Sequence, residues 1–441
     1  MVQKMRKMKD SGIEWIGEIP EGWEITKIKH IVSSVTDTDH FMPDSAEFGI
    51  PYLMIGDLKD LSSSIDWDSS KKISIEDYKK LSIKSRPQIG DIIFARYASI
   101  GTTCYIDTDR DFLVSYACLT IHPSDLIIGK FLSYYLKSSS FAEDVLRRTN
   151  SNTQGNVGKD SLVNATIVLP SIIEQTQIVN FLDAKCSDIN AMLSKTRSSI
   201  EEYKKLKQAV ITQAVTKGVR GEREMMDSEL EWIGEIPAEW SITKIKSGVT
   251  KIGSGKTPSG GAETYTDSGV IFLRSQNVYD CTLNLESPTY ISPEVDATMK
   301  STRVLPDDVL LNITGGSIGR CSIVPKTLGL ANVNQHVCII RTNPLIFLPK
   351  YMQYFWVSTL GHLAIDLYQT GGNREGMSAD AIRNTPIPYA PLNEQKEIAD
   401  YLDAKCAEID GLIAKKEQLV KELESYKKSL IYEVVTGKRE V

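Results

Sequence analysis

Two kinds of apolar pattern share this chain. The first is a series of short apolar runs closed by turn residues: IGDIIFARY at 89–97, TTCYI at 102–106, ACLTIHP at 117–123 and NATIVLP at 164–170. Their length and their flanking Gly, Pro and Asp residues predict strands. Between them, IIGKFLSYYLKSSSFAEDVLRR (127–148) has helical spacing. The same order returns later. Strand-like runs occupy 307–315, 320–325 and 336–344, a helical run 348–368, and a last strand-like run 384–391. Mixed strands and a helix in one compact unit predict an α+β fold.

The second pattern is long. From Glu174 to about Val215, and from Glu394 to about Val435, Pro is absent and Gly almost so. Apolar residues recur there every three or four positions. In the first stretch they are Leu182, Ile189, Met192, Tyr203, Leu206 and Val210, with Thr196 and Ser199 as weak points. In the second they are Leu402, Ile409, Leu412, Leu419, Leu423, Tyr426 and Leu430. Lys and Glu fill the other faces. A heptad rhythm sustained this far predicts a coiled coil. Each helix would be roughly 60–65 Å long at ~1.5 Å per residue. Packing the two antiparallel would bury both stripes and put the globular parts at opposite ends.

The chain also repeats itself. GIEWIGEIPEGWEITKIK at 12–29 and ELEWIGEIPAEWSITKIK at 229–246 agree at thirteen of eighteen positions, 217 residues apart. EQTQIVNFLDAKCSDI at 174–189 and EQKEIADYLDAKCAEI at 394–409 agree at nine of sixteen, 220 apart. Solenoid units are far shorter, so this is a duplicated domain-plus-helix with pseudo-two-fold symmetry. The expected segments are a first domain at 1–172, a central helix at 173–217, a second domain at 218–392 and a C-terminal helix at 393–437. Gly218 and Gly221 mark the break between the halves.

Composition changes this picture little. Charged residues make up 24% and apolar residues 41% of the 441, with a formal net charge of −6, ordinary for a globular protein. That balance excludes a histone-like polycation but not a nucleic-acid binder with local basic groups. The basic N-terminus is followed by no apolar run, and no stretch is long enough to span a bilayer. Six of the seven cysteines fall in repeat-related pairs, Cys104 with Cys321, Cys118 with Cys338 and Cys186 with Cys406. Without zinc spacing, they read as buried free thiols of a cytoplasmic protein, with no metal site.

Enzyme chemistry is hard to find. KIGSGKTPSGG (251–261) has the Gly-Lys-Thr end of a phosphate loop, but Thr250 stands where the first Gly belongs and Pro258 disfavours the following helix. Pro43-Asp44 with Asp57-Leu58-Lys59 mimics a nuclease metal site, yet the offset of 217 places Arg274 opposite Asp57. No methyltransferase loop or catalytic triad is present, and no catalytic residue is assigned. Instead, two loops at equivalent places are rich in amides, hydroxyls and glycines: RTNSNTQGNVGKD (148–160) and YQTGGNREGMSAD (368–380). Asn and Gln match adenine with two hydrogen bonds, and Arg matches guanine. Candidate DNA-binding residues are Asn152, Gln154, Asn156 and Lys159 in the first loop and Gln369, Asn373 and Arg374 in the second. The same logic adds Arg96, Tyr97 and Ser99, set against Asn312 and Thr314, then Arg274, Gln276 and Asn277, and Lys256 and Thr257 in the GKTP turn.

These features together resemble the specificity subunits of type I restriction–modification systems. The resemblance rests on WIGEIPEGW (15–23) and WIGEIPAEW (232–240), GKTPSGG leading to GVIFLRSQNV (255–261, 269–278), and GDIIFARYASIG with DDVLLNITGGSIG (90–101, 307–319). It is completed by the helix starts at 174 and 394 and the helix ends AVITQAVTKG (209–218) and SLIYEVVTGK (429–438). It covers nearly the whole chain. It implies two target-recognition domains, each reading half of a split duplex DNA site, and a non-catalytic chain. It also implies a helical spacer docking two methyltransferase subunits that carry S-adenosylmethionine, with restriction/translocase subunits as further partners. The coiled-coil residues assigned to that role are Leu182, Ile189, Met192, Leu206, Val210, Leu402, Ile409, Leu412, Leu419 and Leu423. The first half departs by lacking the GKTP turn, which implies a differently built recognition surface. The rival reading is a two-domain scaffold for a complex without DNA.

Overall fold

The computed structural model describes residues 6–97, 100–148, 157–369 and 376–441. The chain divides into two compact units, Met1–Arg197 with Gln418–Val441, and Ser198–Glu417. Each therefore contains one end of each long helix.

In the first unit a four-stranded antiparallel sheet has the order Val32–Thr36, Cys118–Pro123, Ile92–Ala95, Thr103–Tyr105. Ile92–Ala95 is buried on both faces, which explains its unbroken IIFA run. A second sheet joins Lys72–Ile73, Ile50–Leu53 and Leu113–Val114, the last two strands in parallel. The second unit repeats the plan. Val249–Ser254, Val337–Thr342, Val309–Asn312 and Cys321–Ile323 form its main sheet. Val270–Leu273 pairs in parallel with Ala331–Val333 in the smaller one. The smaller sheets are not evident from the sequence, because their strands are two to four residues long.

The expected helices at 127–148 and 348–368 are each broken in two, Gly129–Leu136 with Ser139–Arg148 and Pro349–Val357 with Thr359–Tyr368. In the second unit Ser358 adopts an extended conformation and its hydroxyl accepts from Gly361 N. A serine that caps a new helix interrupts the old one.

The long helices run Ile172–Lys217, 46 residues, and Leu392–Val435, 44 residues. Ser171 starts the first: its hydroxyl accepts from Glu174 N, and the Glu174 carboxylate accepts from Ser171 N, a capping box. The inward stripe of the first helix is Leu182, Cys186, Ile189, Leu193, Thr196, Ile200, Tyr203, Lys207, Val210 and Ala214, all buried or half-buried. That of the second is Leu402, Cys406, Ile409, Ile413, Lys416, Val420, Leu423, Lys427, Leu430 and Val434. Each steps by four and three, and the two correspond residue for residue at an offset of 220. This corrects the sequence-based stripe at several places. Met192, Leu206, Leu419 and Tyr426 are exposed; Leu193, Lys207, Val420 and Lys427 face inward in their stead. Lysine stems cover apolar surface while the ammonium reaches water, so hydrophobicity alone misplaces the seam.

Within each unit the two helix ends run antiparallel. In the first, Lys427 Nζ donates to Asn190 Oδ1 at 3.0 Å and Arg197 pairs with Glu424 at 2.5 Å. In the second, Lys207 Nζ reaches both Asp410 oxygens at 2.7 Å and Lys416 lies over the Tyr203 ring at 5.6 Å. The helix ends also belong to the domain cores. Leu182, Ile189, Leu430 and Val434 pack with Phe94, Phe131 and Phe141 in the first. Ile211, Val215, Leu402 and Ile409 pack with Phe355, Trp356 and Leu311 in the second.

Candidate nucleic-acid interface

Strand pairing gives the true register of the repeat at the rim of each main sheet. Arg96 N donates to Ala117 O and Val157 N to Arg96 O; Ile313 N donates to His336 O and Met377 N to Ile313 O. Arg96 therefore corresponds to Ile313, and Tyr97 to Thr314, one position from the alignment expected from sequence. The same registers pair Cys104 with Ser322 and Cys118 with Val337, so two of the three cysteine correspondences are coincidental. Burial pushes the Cys104, Cys118, Cys281 and Cys338 thiols up to about 12, leaving them inert at neutral pH.

In the second unit four segments meet at the rim. The GKTP turn approaches the 334–336 turn through Gly255, where a Cβ would stand 2.0 Å from Val333 O. Lys256 N donates to that same carbonyl at 3.1 Å. The Thr257 hydroxyl donates to Gln335 Oε1. Gln335 Nε2 lies 3.0 Å from His336 Nε2, and His336 Nδ1 lies 2.6 Å from Thr314 Oγ1. Thr314 in turn bridges to Gly376, at the end of the second polar loop. Arg274 lies over the Tyr265 ring at 5.6 Å with its Nε unpaired among the described residues. Lys256 and Gln276 are exposed.

The first unit builds its rim differently. The position of Gly255 is held by Thr38, whose hydroxyl donates to Val114 O, the counterpart of Val333 O. His40 stacks on Tyr116 with ring centroids 4.7 Å apart, where the second unit has Thr257 against Gln335. Arg96 lies over Tyr97 at 5.6 Å, 3.6 Å from Asp37, with its Nε unpaired among the described residues. Lys84 pairs with Asp39 at 2.7 Å beside it. Lys159 is exposed at the start of the short helix Lys159–Asn164.

Other candidates are placed elsewhere. Asn277 and Asn312 are buried. Asn277 Oδ1 accepts from Arg274 N and its Nδ2 donates to Asn284 O. Asn312 Nδ2 donates to Ser275 O. Amides so used hold loops rather than present a surface. Asp57 is the counterpart of Asn277, not of Arg274: its carboxylate accepts from Met54 N at 2.7 Å in the same short turn. The nuclease-like carboxylate is thus a turn cap. Gln369 is half-buried, its N–H closing a helix on Ile365 O. Ser99, Asn152, Gln154, Asn156, Asn373 and Arg374 lie outside the described residues. Sequence reasoning missed His40, Tyr116, Gln335 and His336. The polar triplet Asn334-Gln335-His336 between apolar runs was the available signal.

Among the described residues no acidic, histidine or cysteine cluster could hold a metal ion, and no helix is long and apolar enough to cross a membrane.

Residues 20–202 and 237–422 each match the type I restriction modification DNA specificity domain. The chain is 27% identical over 436 residues to the putative type I restriction enzyme MjaX specificity subunit of Methanocaldococcus jannaschii, spanning 96% of this chain and 95% of that one. It is 24% identical to the MjaVIII specificity subunit of the same organism, over 95% and 93%. In fold it is similar to a chain of a solved structure described as "Structural basis underlying complex assembly and conformational transition of the type I R-M system". That match has a TM-score of 0.71 at 17% identity, over 96% of this chain and 99% of that one. With two copies of the domain on one frame, the chain belongs to the type I restriction–modification specificity subunits.

Proposed function

We propose that this chain reads a split duplex DNA site, one half-site per domain, and docks two methyltransferase subunits through its long helices. The observation that supports this best is the pair of rims. Frame residues correspond strand by strand, while equivalent outward positions differ in chemistry: His40 and Tyr116 in one, Thr257 and Gln335 in the other. A frame held constant beneath altered polar groups suits two readers of different sequence. The chain contributes no chemistry of its own in this reading. S-adenosylmethionine and the catalytic groups belong to the methyltransferase partners, and restriction/translocase subunits join them. With a net charge of −6, the lone chain binds DNA weakly and the partners supply phosphate contacts. The gap between half-sites then depends on helix length, as half-sites on one face of DNA recur about every 34–36 Å.

The test is domain exchange. Replacing residues 245–390 with those of another member, then mapping methylated bases produced by the reconstituted complex, should change one half-site only. Change in both half-sites would show coupled readers. Absence of any sequence preference in the parent complex would leave the scaffold reading standing.

A further inference from the structure

We propose that Gln335 reads an adenine in the second half-site, held in place for it by Thr257 and His336. The inference rests on the DNA-reading function proposed above and names the base one side chain selects. Gln335 is exposed on the turn between Ala331–Val333 and Val337–Thr342. Its backbone is fixed on both sides: Asn334 N donates to Leu273 O, and His336 N to Asn334 Oδ1.

A glutamine amide has two acceptor lone pairs and two donor hydrogens. Here one lone pair of Oε1 takes the Thr257 hydroxyl. One hydrogen of Nε2 points to His336 Nε2 at 3.0 Å. A glutamine nitrogen only donates, so with this placement His336 Nε2 accepts and Nδ1 donates to Thr314 Oγ1 at 2.6 Å. With the amide turned over, the other imidazole tautomer and the hydroxyls of Thr257 and Thr314 satisfy the same chain, because a hydroxyl both donates and accepts. Thr257 and His336 therefore hold the amide in place in either orientation. Either way one lone pair of Oε1 and one hydrogen of Nε2 have no partner among the described residues. Adenine presents the complement in the major groove, the N6 amino donor beside the N7 acceptor. Guanine offers two acceptors there, so the free lone pair would meet O6 without a proton.

The experiment uses the full chain assembled with its methyltransferase subunits, and competition binding over single-base variants of its mapped site at two salt concentrations. Gln335→Ala should lower the preference for adenine at one position of the second half-site by roughly ten- to hundred-fold. The first half-site and the salt slope should stay as they were. Thr257→Val should lower the preference at that same position by a smaller factor, with Thr257→Ser restoring it. An unchanged preference in Gln335→Ala overturns the inference. So does a uniform loss across all sequences with a reduced salt slope, which is the behaviour of a phosphate contact. A parent complex with no sequence preference overturns the underlying function instead.

Discussion

The two domains solve one packing problem with opposite residues. Where the first strand of the main sheet passes the strand of the smaller one, the first unit has Thr38 and the second Gly255. Thr38 fills the space and hydrogen-bonds Val114 O through its side chain. Gly255 leaves no side chain, and the next residue's backbone N–H bonds the corresponding carbonyl, Val333 O. The carbonyl is satisfied either way, as a buried backbone group must be. The groups presented beyond that point differ completely: a His40–Tyr116 stack in one unit and a Thr257–Gln335–His336 relay in the other. A duplicated frame can change the groups it presents freely provided its buried hydrogen bonds are conserved in kind.

The largest expected contrast lies at the helix starts. Glu394 is fully buried, 2.6 Å from Arg223 and accepting from Trp240 Nε1 at 2.9 Å, with Arg220 at 3.8 Å. Its counterpart Glu174 holds Trp23 and Arg6 but keeps 31% of its side chain exposed. Glu394→Ala would leave the Trp240 indole N–H without its acceptor and take the buried carboxylate from Arg223, which keeps Glu239 and the Lys217 carbonyl; the two losses together should cost about 3–5 kcal/mol, whereas Glu174→Ala should cost about 1–2 kcal/mol. Denaturant unfolding of the two variants checks this, and equal losses would show that burial does not set the value of the clamp.

Next comes the seam. Leu193→Ala should cost about 2–4 kcal/mol, as for a buried leucine elsewhere. The adjacent Met192→Lys should change stability by about 0.5 kcal/mol or less. The reverse ranking would restore the stripe through Met192 and Leu206.

This also marks what the sequence makes legible. Helical periodicity finds both long helices to within two residues of their starts, because Pro170 and Ser171, or Pro391, precede an unbroken run. It fails on phase where lysines 207, 416 and 427 occupy inward positions, since a charged label hides a long aliphatic stem. The rims were legible only in part. The GKTP turn stands out by composition, but its partner Gln335 lies 78 residues away. Their meeting depends on the parallel pairing of Val270–Leu273 with Ala331–Val333, a non-local contact no local pattern announces. Asn277 and Asn312 show the converse: polar residues, yet one closes its own turn and the other, at the end of a strand, holds the Ser275 carbonyl of a distant turn.

A smaller effect tests the frame directly. Gly255→Ala places a methyl 2.0 Å from Val333 O and 2.4 Å from Asn334 O, so the turn must move at a cost of about 1–3 kcal/mol. It should also weaken discrimination in the second half-site alone. Thr38→Gly loses one hydrogen bond, about 1 kcal/mol, and should affect only the first. If each substitution disturbed both half-sites, the two rims would not be independent surfaces.

The smallest contrast concerns the paired lysines of the seam. Lys207 meets a carboxylate on the opposing helix, Asp410, whereas Lys427 meets the amide of Asn190 at the equivalent place. Asn190→Asp would give the first unit the ion pair of the second. Exposed pairs of this kind contribute about 0.2–1 kcal/mol, and here the gain should fall at the low end. Lys427 already lies 3.5 Å from Asp60, which is itself bound to Lys137 at 2.8 Å, so a new carboxylate would share a cation that is partly engaged. Melting at low and high salt separates the contributions, because a new surface pair fades as the Debye length shrinks. A rise in Tm of the variant at low salt that disappears at high salt is the expected result. A fall in Tm at low salt would mean that repulsion from Asp60 outweighs attraction to Lys427, and that Asn190 is neutral because the carboxylate on that side is supplied by the domain rather than by the helix.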